Sequence, residues 1–177
     1  LAGDDVPLDP VIFHALTCIE NEKGITYDYV ISMQPTSPLL RKETLDRAIV
    51  EFVESRRETL ITVRDETHLY CTKLTALFLP LYKERKNRQF LDPIYKETGA
   101  LFISRRDVIT EKNRIGSDIY LFEAPLNESI DIDTYQDWWI AENLLKRITV
   151  VFRVDGDKAI GLGHVYRAIT LANRMFN

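Results

Sequence analysis

Along residues 7–23 apolar side chains recur at helical spacing, with Val11, Ile12, Leu16 and Ile19 on one face. Asp9 suits the N-cap of this helix, Pro10 suits its first helical position, and Gly24 ends it. Residues 29–33 form a short, β-branched apolar run expected as a buried strand. The strand cannot continue through Gln34-Pro35-Thr36-Ser37-Pro38, because two prolines break the ladder. A helix is expected over residues 42–56, with Leu45, Ile49 and Phe52 facing inward, and a strand over residues 60–63. Residues 65–97 alternate between aromatic and charged without a period, which predicts a hairpin or arm leaving the main sheet. Strands are expected at residues 99–103 and 119–122. A helix follows over residues 133–146, with Asp133 as N-cap and Gln136 completing a capping box. A strand at 148–152 and a helix at 165–175 close the pattern.

Strands alternating with helices predict an α/β fold: a mostly parallel sheet with helices on both faces. Ligands of such sheets bind at the carboxyl ends of the strands. That selects the loops starting at Gln34, near Ser104, at Ile130 and at Asp155. A new strand after a complete helix places a domain boundary between residues 147 and 148, giving domains 1–147 and 148–177.

The composition narrows the function classes. The chain has 177 residues, 45% hydrophobic and 28% charged, as expected of a globular domain, and a formal charge of −4. No basic stripe is left to neutralise phosphates, so no nucleic-acid partner is expected. The short basic run at residues 83–88 reads as a solvated loop. No apolar run of roughly 18 residues suggests a membrane span, and the first residues do not resemble a signal peptide. Cys18 and Cys71 fit no metal spacing; Cys18 is expected to pack on a helix face, and a reduced, cytoplasmic protein is expected.

Three segments carry candidate chemistry. Gln34-Pro35-Thr36-Ser37-Pro38-Leu39-Leu40-Arg41 presents an amide, two hydroxyls and a guanidinium at a strand end, groups able to hold sugar hydroxyls and an anion. The same residues also suit a proline-rich turn whose hydroxyls only bond backbone. In Ser129-Ile130-Asp131-Ile132-Asp133-Thr134, alternation puts Asp131 and Asp133 on one side of an extended segment. That pair could seat Mg²⁺, or Asp133 could be a helix cap and Asp131 solvated. In Tyr95-Lys96-Glu97-Thr98-Gly99-Ala100-Leu101-Phe102-Ile103, Gly99 allows close backbone approach or simply opens a strand.

In their order and spacing these segments, with Arg88-Gln89 between them and the Asp9-Pro-Val-Ile-Phe-His-Ala-Leu helix before them, resemble acylneuraminate cytidylyltransferases over roughly residues 3–146. The resemblance implies a synthetase in which the anomeric hydroxyl of a nonulosonic acid attacks the α-phosphate of CTP, giving CMP-sugar and pyrophosphate for surface polysaccharide. It implies that Asp131 and Asp133 hold Mg²⁺. It implies that Gln34, Thr36 and Ser37 contact the sugar, and that Arg41, Arg88 and Gln89 address anionic or neighbouring groups. Thr98, Gly99 and Phe102 would line the sugar pocket, and the 65–97 arm would build a homodimer. The chain departs from the family pattern at Thr98, where Asn is usual, and at Leu39-Leu40 before Arg41. The family's Gly-rich nucleotide loop has no counterpart here, so residues 1–177 alone are expected to turn over little.

The last thirty residues, with Asp155, Asp157, Gly161, Gly163 and His164, resemble the opening of the sugar-nucleotide hydrolases of the pseudaminic-acid pathway, where His164 would match the catalytic base. With only a strand and a helix of that domain, His164 is expected to do no chemistry in this chain. The competing reading is a non-catalytic dimerisation domain beside a hydrolase.

Overall fold

The computed structural model describes residues 6–146, 151–154 and 162–175. The chain divides into two units, Leu1–Leu145 and Lys146–Asn177. In chain order the first holds α1 (Leu8–Lys23), β1 (Tyr29–Met33), α2 (Lys42–Ser55), β2 (Thr59–Asp65), β3 (Cys71–Leu74), β4 (Leu77–Pro80), β5 (Tyr95–Arg105), β6 (Ile119–Glu123) and α3 (Tyr135–Leu145).

The ends of α1 follow from local chemistry. Gly24 takes the left-handed conformation (φ 65°) that ends a helix, its N–H bonding to the Glu20 carbonyl at 2.9 Å. Pro7, not Asp9, occupies the N-cap position; Asp9 lies in the first turn and pairs with Arg114 at 3.4 Å. Leu16 is buried, while Ile19 and Cys18 are exposed, so the packed face is narrower than the apolar pattern suggests.

The main sheet has the order β1-β5-β2-β6. It is mixed rather than mostly parallel. β2 pairs with β6 in parallel, but β5 runs antiparallel to both β1 and β2. The cause is the excursion through residues 66–94. The chain leaves β2 at Asp65 and re-enters the sheet at Tyr95 directly opposite it, so β2 and β5 form a hairpin with a long connection and need no helical crossover. β1, β2 and β6 therefore point one way, with β5 opposed. The loop near Ser104 consequently lies at the end of β5 that pairs with the start of β1, remote from the carboxyl ends selected above.

β1 is an edge strand, not a buried one: Tyr29, Ile31 and Met33 are exposed along one side. The register slips between Ile61 and Val63, and the Thr62 hydroxyl fills the gap, donating to Leu101 O at 3.0 Å and accepting from Leu101 N–H at 3.1 Å. On one sheet face Ala48 and Phe52 of α2 pack with Leu60, Leu101, Ile103 and Phe122. On the other, Ile61, Val63 and Phe102 pack with Ile115, and the Arg114 guanidinium sits 4.7 Å from the Phe102 ring.

β3 and β4 form a separate two-stranded sheet within the expected arm. In the second unit α4 spans Gly163–Met175. Val151 and Phe152 form no strand, and the rest of the strand expected at 148–152 lies outside the described residues, as do Asp155, Asp157 and Gly161.

Phe52 fills the α2 side of the core, at 2% exposed. Phe52→Ala should lower unfolding stability by about 3–5 kcal/mol, read from urea midpoints at constant slope.

Candidate active site

Three segments distant in sequence meet where β1 ends and β5 begins. The turn after β1 is closed by Ser37 N–H on Gln34 O at 3.1 Å, and the buried Ser37 hydroxyl lies 3.2 Å from Thr98 O and 3.4 Å from Asp131 Oδ1. Ile132 N–H donates to Thr36 O at 2.8 Å, stitching the aspartate segment to the same turn. Thr36 turns its hydroxyl toward Gln34 Oε1 at 3.5 Å. Gly99, at φ 70°, lies beneath: a Cβ there would stand 3.0 Å from Asp131 Oδ2 and 3.3 Å from Gln34 Oε1. Gln34, Ser37, Gly99 and Asp131 are thus brought together.

Asp131 and Asp133 line one small cavity of about 40 Å³, with Arg64, Lys96, Thr98 and Asp137 among its other walls. The helix cap expected at Asp133 is displaced by one residue. Thr134 N–H and Oγ1 both bond Asp137 Oδ2, at 2.8 and 2.6 Å, and Asp137 N–H bonds back to Thr134 Oγ1 at 3.3 Å. This is a reciprocal capping box of Thr134 and Asp137, in place of Asp133 and Gln136. The Thr134 bonds hold the Asp137 carboxyl below its ordinary value. The shift matters because it leaves the Asp133 carboxylate out of the capping role.

Thr98 reaches the site only in part, and the remaining sequence-selected residues fall elsewhere. The Thr98 side chain turns into the sheet, its hydroxyl 2.8 Å from Thr62 Oγ1, so only its carbonyl meets the Ser37 hydroxyl. The Phe102 ring is buried in the core beside Ile61 and Val63. The Arg41 side chain is 66% exposed and leans toward Glu128, 3.8 Å between Nε and Oε1. Arg88 and Gln89 lie in a 3₁₀ turn of the arm (Arg88–Phe90), where Arg88 lines a separate cleft with His68, Leu69 and Arg85. His164 lies in the first turn of α4 and is exposed.

Sequence reading missed Glu128, Arg64 and Lys96. Glu128 is 4% exposed and accepts the Arg41 N–H at 3.0 Å, placing a carboxylate at the positive end of α2 and fixing the far end of the Gln34 loop. Nothing in Asn127-Glu128-Ser129 distinguishes it. Arg64 did carry a signal: it is a charge closing an apolar strand at its carboxyl end, where such sheets bind ligands.

No protein-family model matches the chain. Curated relatives do. The chain is 26% identical over 153 residues to pseudaminic acid cytidylyltransferase of Campylobacter jejuni, covering 82% of this chain and 66% of that protein. It is 28% identical over 132 residues to CMP-N,N'-diacetyllegionaminic acid synthase of Legionella pneumophila, covering 71% and 57%. It is 24% identical over 152 residues to post-translational flagellin modification protein B of Campylobacter coli, covering 82% and 65%. The relatives at 26–28% identity are CMP-nonulosonic acid cytidylyltransferases. The chain spans between 57% and 66% of the length of these curated relatives. Among the described residues, no helix is long and apolar enough to cross a membrane.

The capping assignment is testable by substitution. Thr134→Ala should cost about 1 kcal/mol of stability in urea melts, whereas Asp133→Ala should not show this loss.

Proposed function

We propose that this chain carries the acid-sugar side of a CTP-dependent nucleotidyltransferase, which activates a nonulosonic acid as its CMP derivative in surface-glycan synthesis. The observation that carries the reading is the meeting of the Gln34–Ser37 turn with Asp131 over Gly99. The likeness to two CMP-nonulosonic acid enzymes supports it.

In the reaction the anomeric hydroxyl oxygen forms a bond to the α-phosphorus of CTP. The α–β bridging P–O bond breaks, pyrophosphate leaves with the electron pair, and the hydroxyl proton passes to solvent water. The Gln34 amide and the Thr36 hydroxyl supply donors and acceptors for sugar hydroxyls, while the buried Ser37 hydroxyl fixes the turn against Thr98 and Asp131. Asp131 and Asp133 fit Mg²⁺, which takes one or two protein carboxylates and completes its shell with phosphate oxygens and water. Among the described residues no group of three or more His, Cys, Asp or Glu side chains is arranged to hold a metal, so Asp131 and Asp133 would hold the ion as a pair. Mg²⁺ would there neutralise charge on the phosphates. Hydrogen bonding to Ser37 and to the Thr36–Ile132 backbone link holds the carboxylate and the hydroxyls in fixed relation.

The full-length protein should release pyrophosphate from CTP in the presence of a nonulosonic acid, with pseudaminic, legionaminic and sialic acids as the panel. Chelation should stop turnover and Mg²⁺ restore it. Asp131→Asn should lower kcat/KM by at least about 100-fold. An Asp131→Asn protein matching wild type would remove the assignment.

We also propose that the working protein is a homodimer joined through the arm. Leu74, Leu77, Phe78 and Leu81 of the hairpin region are exposed, Phe78 at 68%. An isolated two-stranded hairpin is marginal in water, so a second copy that buries these side chains would stabilise it. Phe78→Glu should convert a dimer to a monomer in sedimentation velocity runs, leaving the far-ultraviolet circular dichroism unchanged.

A further inference from the structure

We propose that Arg56, Arg57 and Arg105 form a binding site for a phosphate monoester at the end of the sheet opposite the aspartate pair. With Tyr29, Phe52 and Val53 they line a cavity of about 200 Å³ between the end of α2 and the start of β1. No carboxylate lines it. Arg105 faces Tyr29 across the β1–β5 pair, while the Gln34 turn follows Met33 at the other end of β1. The length of a strand therefore separates this site from the one described above, and it does not rest on the function proposed there.

Arg56 carries the argument. It follows α2 at φ 56°, a left-handed conformation that is costly for a residue with a Cβ and usually falls to glycine at a helix end. Gly24 takes that place after α1. A cation near the negative end of α2 is favourable. That accounts for the charge, which Arg57 also supplies one residue on, and not for the strained backbone. Nor does bonding within the protein account for it: the Arg56 side chain forms no hydrogen bond or ion pair among the described residues. Backbone strain persists where a side chain is needed in place, and here the need is not met by the chain itself.

The other two guanidinia are steadied from outside the cavity. Arg57 pairs with Asp118, and Arg105 pairs with Asp107, its Nε lying 3.0 Å from Oδ1. Each keeps N–H groups without a partner among the described residues. Three planar donors around one cavity match the three terminal oxygens of a phosphate monoester better than the two of a carboxylate. The Tyr29 ring stands edge to face with Phe52 at 5.4 Å and is 47% exposed, so it offers the ester group an apolar surface. A second cleft of about 490 Å³ shares Tyr29 and Arg105 and leaves room for a larger ester.

The test is calorimetric titration of the full-length protein with phenyl phosphate and with inorganic phosphate. Wild type should bind the ester more tightly; inorganic phosphate bound equally well would mean an adventitious anion patch and would overturn the proposal. Arg56→Gln and Arg105→Gln should each weaken phenyl phosphate by about tenfold or more. Both side chains are exposed, so neither change disturbs the core. Arg56→Gly should weaken binding as Arg56→Gln does, yet raise Tm by about 2–4 °C, because glycine relieves the left-handed backbone. A glycine variant less stable than wild type would show that Arg56 serves the helix end, and would overturn the proposal. So would arginine variants that bind as wild type does, or a wild type that binds neither probe. Asp131→Asn should bind phenyl phosphate unchanged; a loss there would place the probe at the aspartate pair and overturn the proposal. The readouts are binding and melting, so the outcome is independent of turnover from CTP.

Discussion

The site depends on a contact that a single methyl group would spoil. Gly99 holds φ 70°, a conformation costly for residues with a side chain, and a Cβ there would crowd Asp131 Oδ2 at 3.0 Å and Gln34 Oε1 at 3.3 Å. With that space open, the start of β5 lies against the turn after β1 and against the aspartate segment. Ser37 then joins all three, through one hydroxyl shared between Thr98 O and Asp131 Oδ1. None of these bonds is strong alone, at about 1 kcal/mol each. Their effect is positional: the turn after β1 is bonded both to the start of β5 and to the aspartate segment, so moving it breaks bonds to both.

The antiparallel course of β5 decides what else reaches that point. In an all-parallel sheet the strand beside β2 would bring its carboxyl end to the ligand edge. Here β5 brings its beginning, so Lys96, Thr98 and Gly99 arrive there, while Ser104 is carried to the other end and bonds Thr59 and Arg114. The same reversal roots the arm at the site. Asp65 and Tyr95, its two ends, face each other beside the Arg64–Lys96 pair.

Much of this was legible in the sequence, for reasons that particular residues make plain. The Gln34 turn was visible because two prolines forbid a strand, and α2 because Leu45, Ile49 and Phe52 keep helical spacing. Strand direction was not legible, because apolar runs such as residues 99–103 read alike in either direction. The edge position of β1 was hidden for a related reason: Tyr29, Ile31 and Met33 look like core residues, and only pairing shows that one side stays open. The cap of α3 was misplaced by one residue because Asp133 and Thr134 are both good cap formers. What separates them is the carboxylate three residues on: Asp137 reaches Thr134, while the partner for Asp133 would be the uncharged Gln136.

That one-residue shift has more chemical weight than its size suggests. A carboxylate at the N-cap is turned toward backbone N–H groups and held by the positive end of its helix. With Thr134 and Asp137 closing α3 between them, Asp133 is released from that duty and lines the cavity beside Asp131. Glu128 plays the matching part at α2, where it takes the Arg41 N–H and secures the loop's far end without using a site residue. Both helices are therefore capped by acids that do not belong to the aspartate pair. An aspartate pair spared from helix capping, with Asp131 held by the Ser37 hydroxyl on a segment pinned by its own backbone, is the condition for binding charge at a fixed place; a site whose acids also closed its helices would have to loosen its scaffold to bind.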